Sequence, residues 1–219
     1  DDSKILRKAD LKLTDEGDLE GKLTVSFTGL EALWRRIEER NQDDTERKKF
    51  LEEQVKESIP AGSKVELTKQ PEWNSSESPL TAEFNISVAG WASAAGRRSL
   101  LPAALFSANE KHLFEHANRV WPVYFRFSYK ATDDVNIQLP TGLQVENVPK
   151  NEDRDLKGTE YSLKFERGNG AVHIQRMLRS DLFLVPKDNY PILRTFFQFV
   201  KSEDEQQVVL QPAGTTASK

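Results

Sequence analysis

The sequence predicts an α+β fold that is mainly β, with antiparallel sandwich-like sheets, a helical hairpin near residues 30–59 and a C-terminal helix near residues 189–202. Three observations carry that prediction. Apolar and polar residues alternate with period two through most of the chain, as they do in half-buried strands. The period lengthens to that of a helix after Phe27 and again after Asp188. Little helical sequence separates the remaining strands, whereas a parallel sheet would need crossover helices between them.

Taken in order, Leu11 and Leu13 lead into a polar turn from Thr14 to Asp18. Leu19, Leu23, Val25 and Phe27 then share one face opposite Glu20, Lys22, Thr24 and Ser26, which describes a hairpin with a single wet face. Thr28 and Glu31 have the spacing of a capping box, and Leu30, Leu33, Trp34 and Ile37 form the stripe expected to pack inward. Asp43 and Glu46 repeat the start signal, and Leu51, Val55 and Ile59 carry a second helix to Pro60 and Gly62. From Glu31 to Glu57, 16 of 27 residues are charged, 9 acidic and 7 basic, so the outer faces of this hairpin are solvated or turned to a partner. Glu31/Arg35, Asp44/Lys48 and Glu52/Lys56 stand four apart, the spacing of helical ion pairs.

Val65 and Leu67 begin the next strand, and Leu80, Ala82, Phe84, Ile86 and Val88 give the cleanest alternation in the chain. Val123, Phe125, Phe127 and Tyr129 form another strand, opened by a core Trp121, and Val135, Ile137 and Leu139 run up to Pro140-Thr141-Gly142. Tyr161, Leu163 and Phe165 face Val172 and Ile174 across Arg167-Gly168-Asn169-Gly170, a turn tolerant of positive φ. The last helix is expected to be capped by Asp188, with Pro191 in its first turn and Leu193, Phe196, Phe197 and Val200 on one stripe. With Phe199 added, it reads as an aromatic plug against a sheet. Val208, Val209 and Leu210 close the fold. The chain divides into one β-rich unit over 1–211, or two lobes at 1–119 and 120–211, with a flexible tail at 212–219.

Composition excludes more than it assigns. The 219 residues carry 31 Lys and Arg against 35 Asp and Glu, a formal charge of −4, which disfavours a nucleic-acid partner and a polybasic membrane anchor. No apolar run approaches the ~20 residues of a membrane span. Arg97-Arg98 followed by Ser-Leu-Leu-Pro-Ala-Ala-Leu-Phe imitates a signal peptide, but its internal position and Pro102 argue against one. Zero cysteines remove disulfides, thiolate metal sites and cysteine nucleophiles together. The start at Asp1, with Met177 as the sole methionine, is expected of a processed or excised piece.

The one motif match is His112-Leu-Phe-Glu115-His116, the H-x-x-E-H spacing in which two imidazoles on a helix reach one metal and the Glu polarises its water. Such a zinc hydrolase needs residues 107–118 to be helical and a third ligand. The flanking Asn109, Glu110, Lys111, Asn118 and Arg119 favour a polar surface segment anchored by Leu113 and Phe114. His173 alternates away from Val172 and Ile174, so it is expected to be solvent-facing or hydrogen-bonded. Gly168 and Gly170 belong to a hairpin turn rather than a dinucleotide loop, and no G-x-S-x-G elbow is present. Trp34 is expected in the core with its helix stripe. Trp73 and Trp91 lie among polar or small residues and are the candidate binding residues, either stacking on a glycan or peptide or meeting a neighbouring domain.

Several segments together resemble a known family. They are Val25-Ser-Phe-Thr-Gly-Leu-Glu-Ala-Leu-Trp-Arg, Ala95-Gly-Arg-Arg-Ser-Leu-Leu-Pro, Trp121-Pro-Val-Tyr-Phe, Leu139-Pro-Thr-Gly-Leu, Tyr190-Pro-Ile-Leu-Arg-Thr-Phe-Phe and Asp204-Glu-Gln-Gln-Val-Val-Leu. In this order they resemble the C-terminal region of bacterial transglutaminase-like proteins, in which a β-rich N-terminal domain, a papain-like core and a β-rich C-terminal domain follow one another. The resemblance implies a non-catalytic accessory domain with no cofactor, whose partner is the transglutaminase-like core of the same polypeptide, in a periplasmic or extracellular setting. That core uses a Cys, His, Asp triad. This chain has no Cys, so the resemblance places the catalytic core N-terminal to Asp1.

Overall fold

The computed structural model describes residues 3–75, 77–108 and 113–214. The chain opens with β1 (Lys4–Leu13) and β2 (Leu19–Phe27), followed by helices α1 (Gly29–Glu38) and α2 (Asp44–Ser58). Strands β3 (Lys64–Lys69), β4 (Leu80–Val88), β5 (Ser93–Ala95) and β6 (Arg98–Pro102) lead to a 3-10 turn at Leu105–Ser107. The second half contains β7 (Val123–Tyr124), β8 (Tyr129–Gln138), β9 (Leu143–Asn147), β10 (Glu152–Leu156), β11 (Thr159–Gly168), β12 (Ala171–Ser180) and β13 (Leu184–Val185). It closes with α3 (Tyr190–Asp204) and β14 (Gln207–Pro212).

Eight strands form one mixed sheet in the order β10-β11-β12-β8-β1-β2-β4-β3. A second sheet runs β5-β6-β14-β9, and β13 and β7 make a two-stranded ribbon. The hairpins follow the alternation in the sequence: Leu19 sits opposite Leu13 and Phe27 opposite Ile5, while Asp10/Lys22 and Lys12/Glu20 place opposite charges across the pair. One apolar cluster joins both sheets. Leu19, Leu23, Leu80, Leu163 and Val172 from the large sheet and Leu101, Val208 and Leu210 from the small one have 0% exposure. The fold is therefore α+β and mainly β, with the helices added to the sheets.

The sheet is not wholly antiparallel. β1 and β8 run parallel from Lys4↔Lys130 to Lys12↔Gln138, and strands from before and after Arg119 are thus hydrogen-bonded neighbours. The described chain between them comprises β2 to β7 together with α1 and α2.

α2 follows the sequence closely. The Asp43 carboxylate accepts from the backbone N–H of Thr45 and Glu46, each at 2.9 Å, and Leu51, Val55 and Ile59 are buried. The helix covers the β3 edge, where Glu52 Oε1 accepts from Leu67 N at 2.8 Å, so that edge is not open for pairing.

α1 is turned the other way. Its expected stripe faces solvent, with Leu30, Leu33 and Ile37 exposed by 40%, 48% and 61%, and Trp34 is only half-buried, against Phe50 at 6.3 Å between ring centroids. Ala32 and Arg35 face inward instead. Arg35 donates to Glu31 Oε2 at 2.6 Å, to Glu31 O at 2.8 Å and to Gln54 Oε1 at 2.8 Å, and its guanidinium lies 3.7 Å from the Phe27 ring centroid. Burial lowers the Arg35 pKa and Glu31 counteracts it. The Glu31 carboxylate is thereby turned to Arg35 rather than back to the helix start. The start is met from afar by Ser3, whose Oγ accepts from Leu30 N at 3.1 Å.

Other expectations are corrected by the backbone. The alternation from Val123 to Tyr129 is not one strand: pairing stops after Tyr124 and resumes at Tyr129. Trp121 is 76% exposed rather than core. The first turn of α3 contains Pro191, but the residue at its N-cap is Asn189, and Asp188 lies in the preceding 3-10 turn. The buried stripe of α3 is as expected, with Leu193, Phe196, Phe197 and Val200 joined by Tyr190, while Phe199 is partly buried. Strands β5, β6, β9, β10 and β13 have no counterpart in the sequence reading. β10 in particular carries Glu152, Asp153, Arg154 and Asp155 at a sheet edge exposed on both faces, where neither face imposes alternation.

Candidate functional site

A cleft of about 870 Å³ lies between α3 and the face of β8 and β12, with the segment after β6 forming its third wall. Phe114, Phe197, Leu178 and Val200 supply apolar walls, and Arg176, Lys201 and Asp204 supply charge. Trp91 also lines it. That indole is 8% exposed and its Nε1 has no hydrogen-bond partner, so the expected surface tryptophan is a core residue. Its segment is fixed by the β1–β2 turn: Ala92 N donates to Gly17 O at 2.9 Å and Gly90 N to Asp18 Oδ1 at 2.7 Å. Gly17 has φ +91, and a Cβ there would fall 2.5 Å from the Ala92 carbonyl oxygen, so glycine is required for this approach. Trp73 is half-buried; its Nε1 donates to Gln70 Oε1 at 3.3 Å and Arg47 lies over its ring at 5.3 Å. The two tryptophans do not share a surface.

An ionic chain crosses the interior beside the cleft. Arg7 Nε meets Asp133 Oδ1 at 2.6 Å, and Arg176 Nη1 approaches Asp133 Oδ2 at 3.8 Å. Arg176 then grips Asp204 with two bonds, Nε to Oδ1 at 2.6 Å and Nη2 to Oδ2 at 2.7 Å. The Tyr161 hydroxyl donates to Asp204 Oδ1 at 2.8 Å. Arg176 and Asp133 are 2% and 3% exposed. Charges alternate along the chain, which is how buried ions are tolerated at all. Burial drives the Tyr161 pKa upward, with the Asp204 charge adding to it, so this phenol stays protonated and acts as a donor. The arrangement seats the C-terminal end of α3, where a cation is also favoured by the helix dipole.

The described part of the H-x-x-E-H segment has the surface character its flanking residues suggested and lacks the helical geometry a zinc site there would need. His112 lies outside the described residues. From Leu113 to Asn118 the chain is turn and bend, and Phe114 has φ +61, so this part is not helical and the helical i, i+4 placement fails. Glu115 and His116 are exposed, and their backbone carbonyls, not their side chains, make the contacts found: Glu115 O accepts from Arg194 at 3.2 Å and His116 O from the Tyr190 hydroxyl at 2.7 Å. Phe114 is the anchor, with Phe197, Tyr190 and Phe125 at 5.0, 6.0 and 6.3 Å between centroids. Leu113, expected to share that role, is 53% exposed. Among the described residues, no group of three or more His, Asp or Glu side chains has the geometry of a metal site, and none of the described helices is long and apolar enough to cross a membrane.

His173 is hydrogen-bonded, as its alternation suggested. Its Nε2 lies 2.6 Å from Asp134 Oδ1 and its Nδ1 3.6 Å from Glu166 Oε2. Partial burial works to lower its pKa, but the bonds and charges of Asp134 and Glu166 outweigh this and raise it.

The remaining feature is apolar surface. Besides α1, the β7/β13 ribbon exposes Tyr124 and Phe183, edge-on at 5.0 Å, with Val120, Trp121 and Leu184 beside them. Sequence reasoning missed this surface because it assigned Trp121 and the α1 stripe to the core; only their neighbours in space reveal that nothing within the described chain covers them.

A family model described as a domain of unknown function with a solved structure, DUF3858, matches residues 97–210. This is just over half of the chain. The chain belongs to the DUF3858 family. No curated protein and no solved structure matches it. The DUF3858 segment supplies every residue named above in the cleft and ionic chain except Trp91 and Arg7. It also contains the aromatic ribbon, whereas α1 lies ahead of it.

Proposed function

We propose that this chain is a non-catalytic C-terminal accessory domain of a transglutaminase-like protein, exported to the periplasm or beyond, that packs on the catalytic core of the same polypeptide and supports it. The observation that carries this reading is the amount of large apolar side chain left in solvent on α1 and the β7/β13 ribbon. Contiguous exposure of this kind marks a surface that meets another protein. The groups of the cleft support the same reading: Arg176, Asp204, Tyr161 and Asp133 are bound to one another and hold α3 in place. Neutralised ion pairs of this sort seat a helix; they do not leave a poised acid or base.

Sequencing the complete reading frame tests it. A Cys, His, Asp core encoded upstream of Asp1 is the expected result; an open frame lacking one overturns the proposal. Given the core, removing this domain is expected to lower the core's melting temperature or soluble yield, and an unchanged core would leave no supporting role.

A further inference from the structure

Arg7 and Arg35 line one crevice from different elements. Arg7 stands opposite Val25 in the β1–β2 ladder, and Arg35 reaches from α1 onto the ring of Phe27, the next residue of β2 on the same face. Two such positions are ~7 Å apart along a strand. The crevice has a volume of about 250 Å³ and lies between α2 and the sheet. Val25 and Phe27 from β2 and Leu51 and Val55 from α2 give it apolar walls, and the exposed Glu57 is the one acidic residue that lines it.

Both arginine side chains are nearly buried, at 11% and 9% exposure, yet neither guanidinium is fully engaged. Arg7 donates from Nε to Asp133, and its Nη1 and Nη2 have no hydrogen-bond acceptor among the described residues. Arg35 uses Nε on Gln54 and Nη1 on Glu31, and its Nη2 likewise has no acceptor among the described residues. The neighbouring carboxylates are already shared or taken up: Arg176 Nη1 stands 3.8 Å from the second oxygen of Asp133, and Glu31 is bound to Nη1 of Arg35. Guanidinium N–H groups without an acceptor are costly away from bulk water, and two like charges lining one crevice repel. An anion between them relieves both effects.

We propose that this crevice binds a small carboxylic acid with an apolar tail, its carboxylate accepting from Arg7 and Arg35 and its tail lying against Val25, Phe27, Leu51 and Val55. A carboxylate is planar and matches a guanidinium fork with charge-assisted bonds of about 2.7–2.9 Å. The apolar walls favour such an acid over an inorganic anion, whose remaining oxygens would lose water and find no donor. The volume falls below the ~300–1,000 Å³ of drug-sized pockets, so the acid is a small one. The site stands independently of the accessory-domain reading.

Amide NMR of the chain titrated with octanoate tests this. The expected result is saturable shifts centred on Val25, Phe27, Leu51 and Val55, with acetate and octanol each binding at least about tenfold more weakly. Acetate binding as tightly as octanoate would leave the apolar walls without a role, and octanol binding as tightly would leave the arginines without one; either overturns the proposal. No saturation by octanoate up to about 10 mM overturns it as well, and shifts centred on Phe114, Phe197 and Val200 move binding to the α3 cleft with the same consequence. Arg7→Lys and Arg35→Lys keep the charge but remove the fork, and each is expected to weaken octanoate about tenfold. Undiminished affinity in either folded variant takes that arginine out of the site and overturns the proposal. The ligand series needs no variant, so it decides even where a substituted chain fails to fold.

Discussion

α1 and α3 carry the same pattern and use it in opposite directions. Leu30, Leu33, Trp34 and Ile37 match Leu193, Phe196, Phe197 and Val200 position for position, yet in the first set all but the half-buried Trp34 are exposed and the second set is buried. α3 lies against the cleft wall, where Phe197 meets Phe114 at 5.0 Å and Phe196 at 5.5 Å, and Asp204 at its end is locked to Arg176. Beneath α1 the space is already taken by Arg35, stacked on Phe27 and bound to Gln54. Periodicity reports that a helix has two unlike faces. Which face turns inward depends on what its neighbours offer: an aromatic wall in one case, a ring and an amide suited to a guanidinium in the other.

Substitutions can break or sharpen this contrast. The largest effect is expected from Arg176→Met, which strips the nearly buried Asp204 carboxylate of its counter-charge and leaves Asp133 with Arg7 alone. A loss of about 3–5 kcal/mol in urea denaturation is expected, and a loss under about 1 kcal/mol would mean that α3 does not depend on the ionic chain. Leu193→Ala, at 3% exposure, should cost about 2–5 kcal/mol through the cavity it leaves. Its counterpart Leu33→Ala should stay within ~0.5 kcal/mol in this chain; equal costs at the two positions would erase the distinction between the helices. Arg35→Met falls between, at roughly 1–3 kcal/mol, because Glu31 and Gln54 lose a buried partner while the side chain's packing is kept. The smallest effect concerns pH. Since the folded-state pKa of His173 is raised, its contribution is complete below the unfolded value of about 6.5 and fades as pH rises through the folded value. The melting temperature of wild type relative to His173→Gln should therefore fall as pH rises above about 6.5, and a flat difference would show that the Asp134 and Glu166 contacts are not felt in solution.

The strands with one buried face were legible because burial imposes alternation: β2, β4, β11 and β12 stand where their patterns placed them. The central strand β8 shows how the pattern is disguised. Its inward positions include Ala131 and Asp133, a small residue and an acid, so the sequence suggests a break there. The acid is inside because Arg7 and Arg176 come from β1 and β12 on either side to meet it. That compensation is long-range and has no local signature. The real break falls between Tyr124 and Tyr129, where aromatic alternation continues without strand pairing. The cleft and the exposed surface were illegible for the same reason. Trp91 is buried by a contact with the turn at Gly17, and Trp121 is exposed on a two-stranded ribbon; neither follows from the residues adjacent to it.

The parallel seam between β1 and β8 also sets an order for folding. β1 to β4 and β8 to β12 each pair mostly with strands near them in sequence, but the seam joins Lys4 to Lys130, and contacts of such separation form late because the closing loop is long. On a ribosome, β1 would be paired with β2 on one side only until residues 129–138 had emerged. During that interval its other edge is an open template for any extended chain nearby. The strand that later lies in the middle of the sheet is thus the one most in need of protection while the protein is being made.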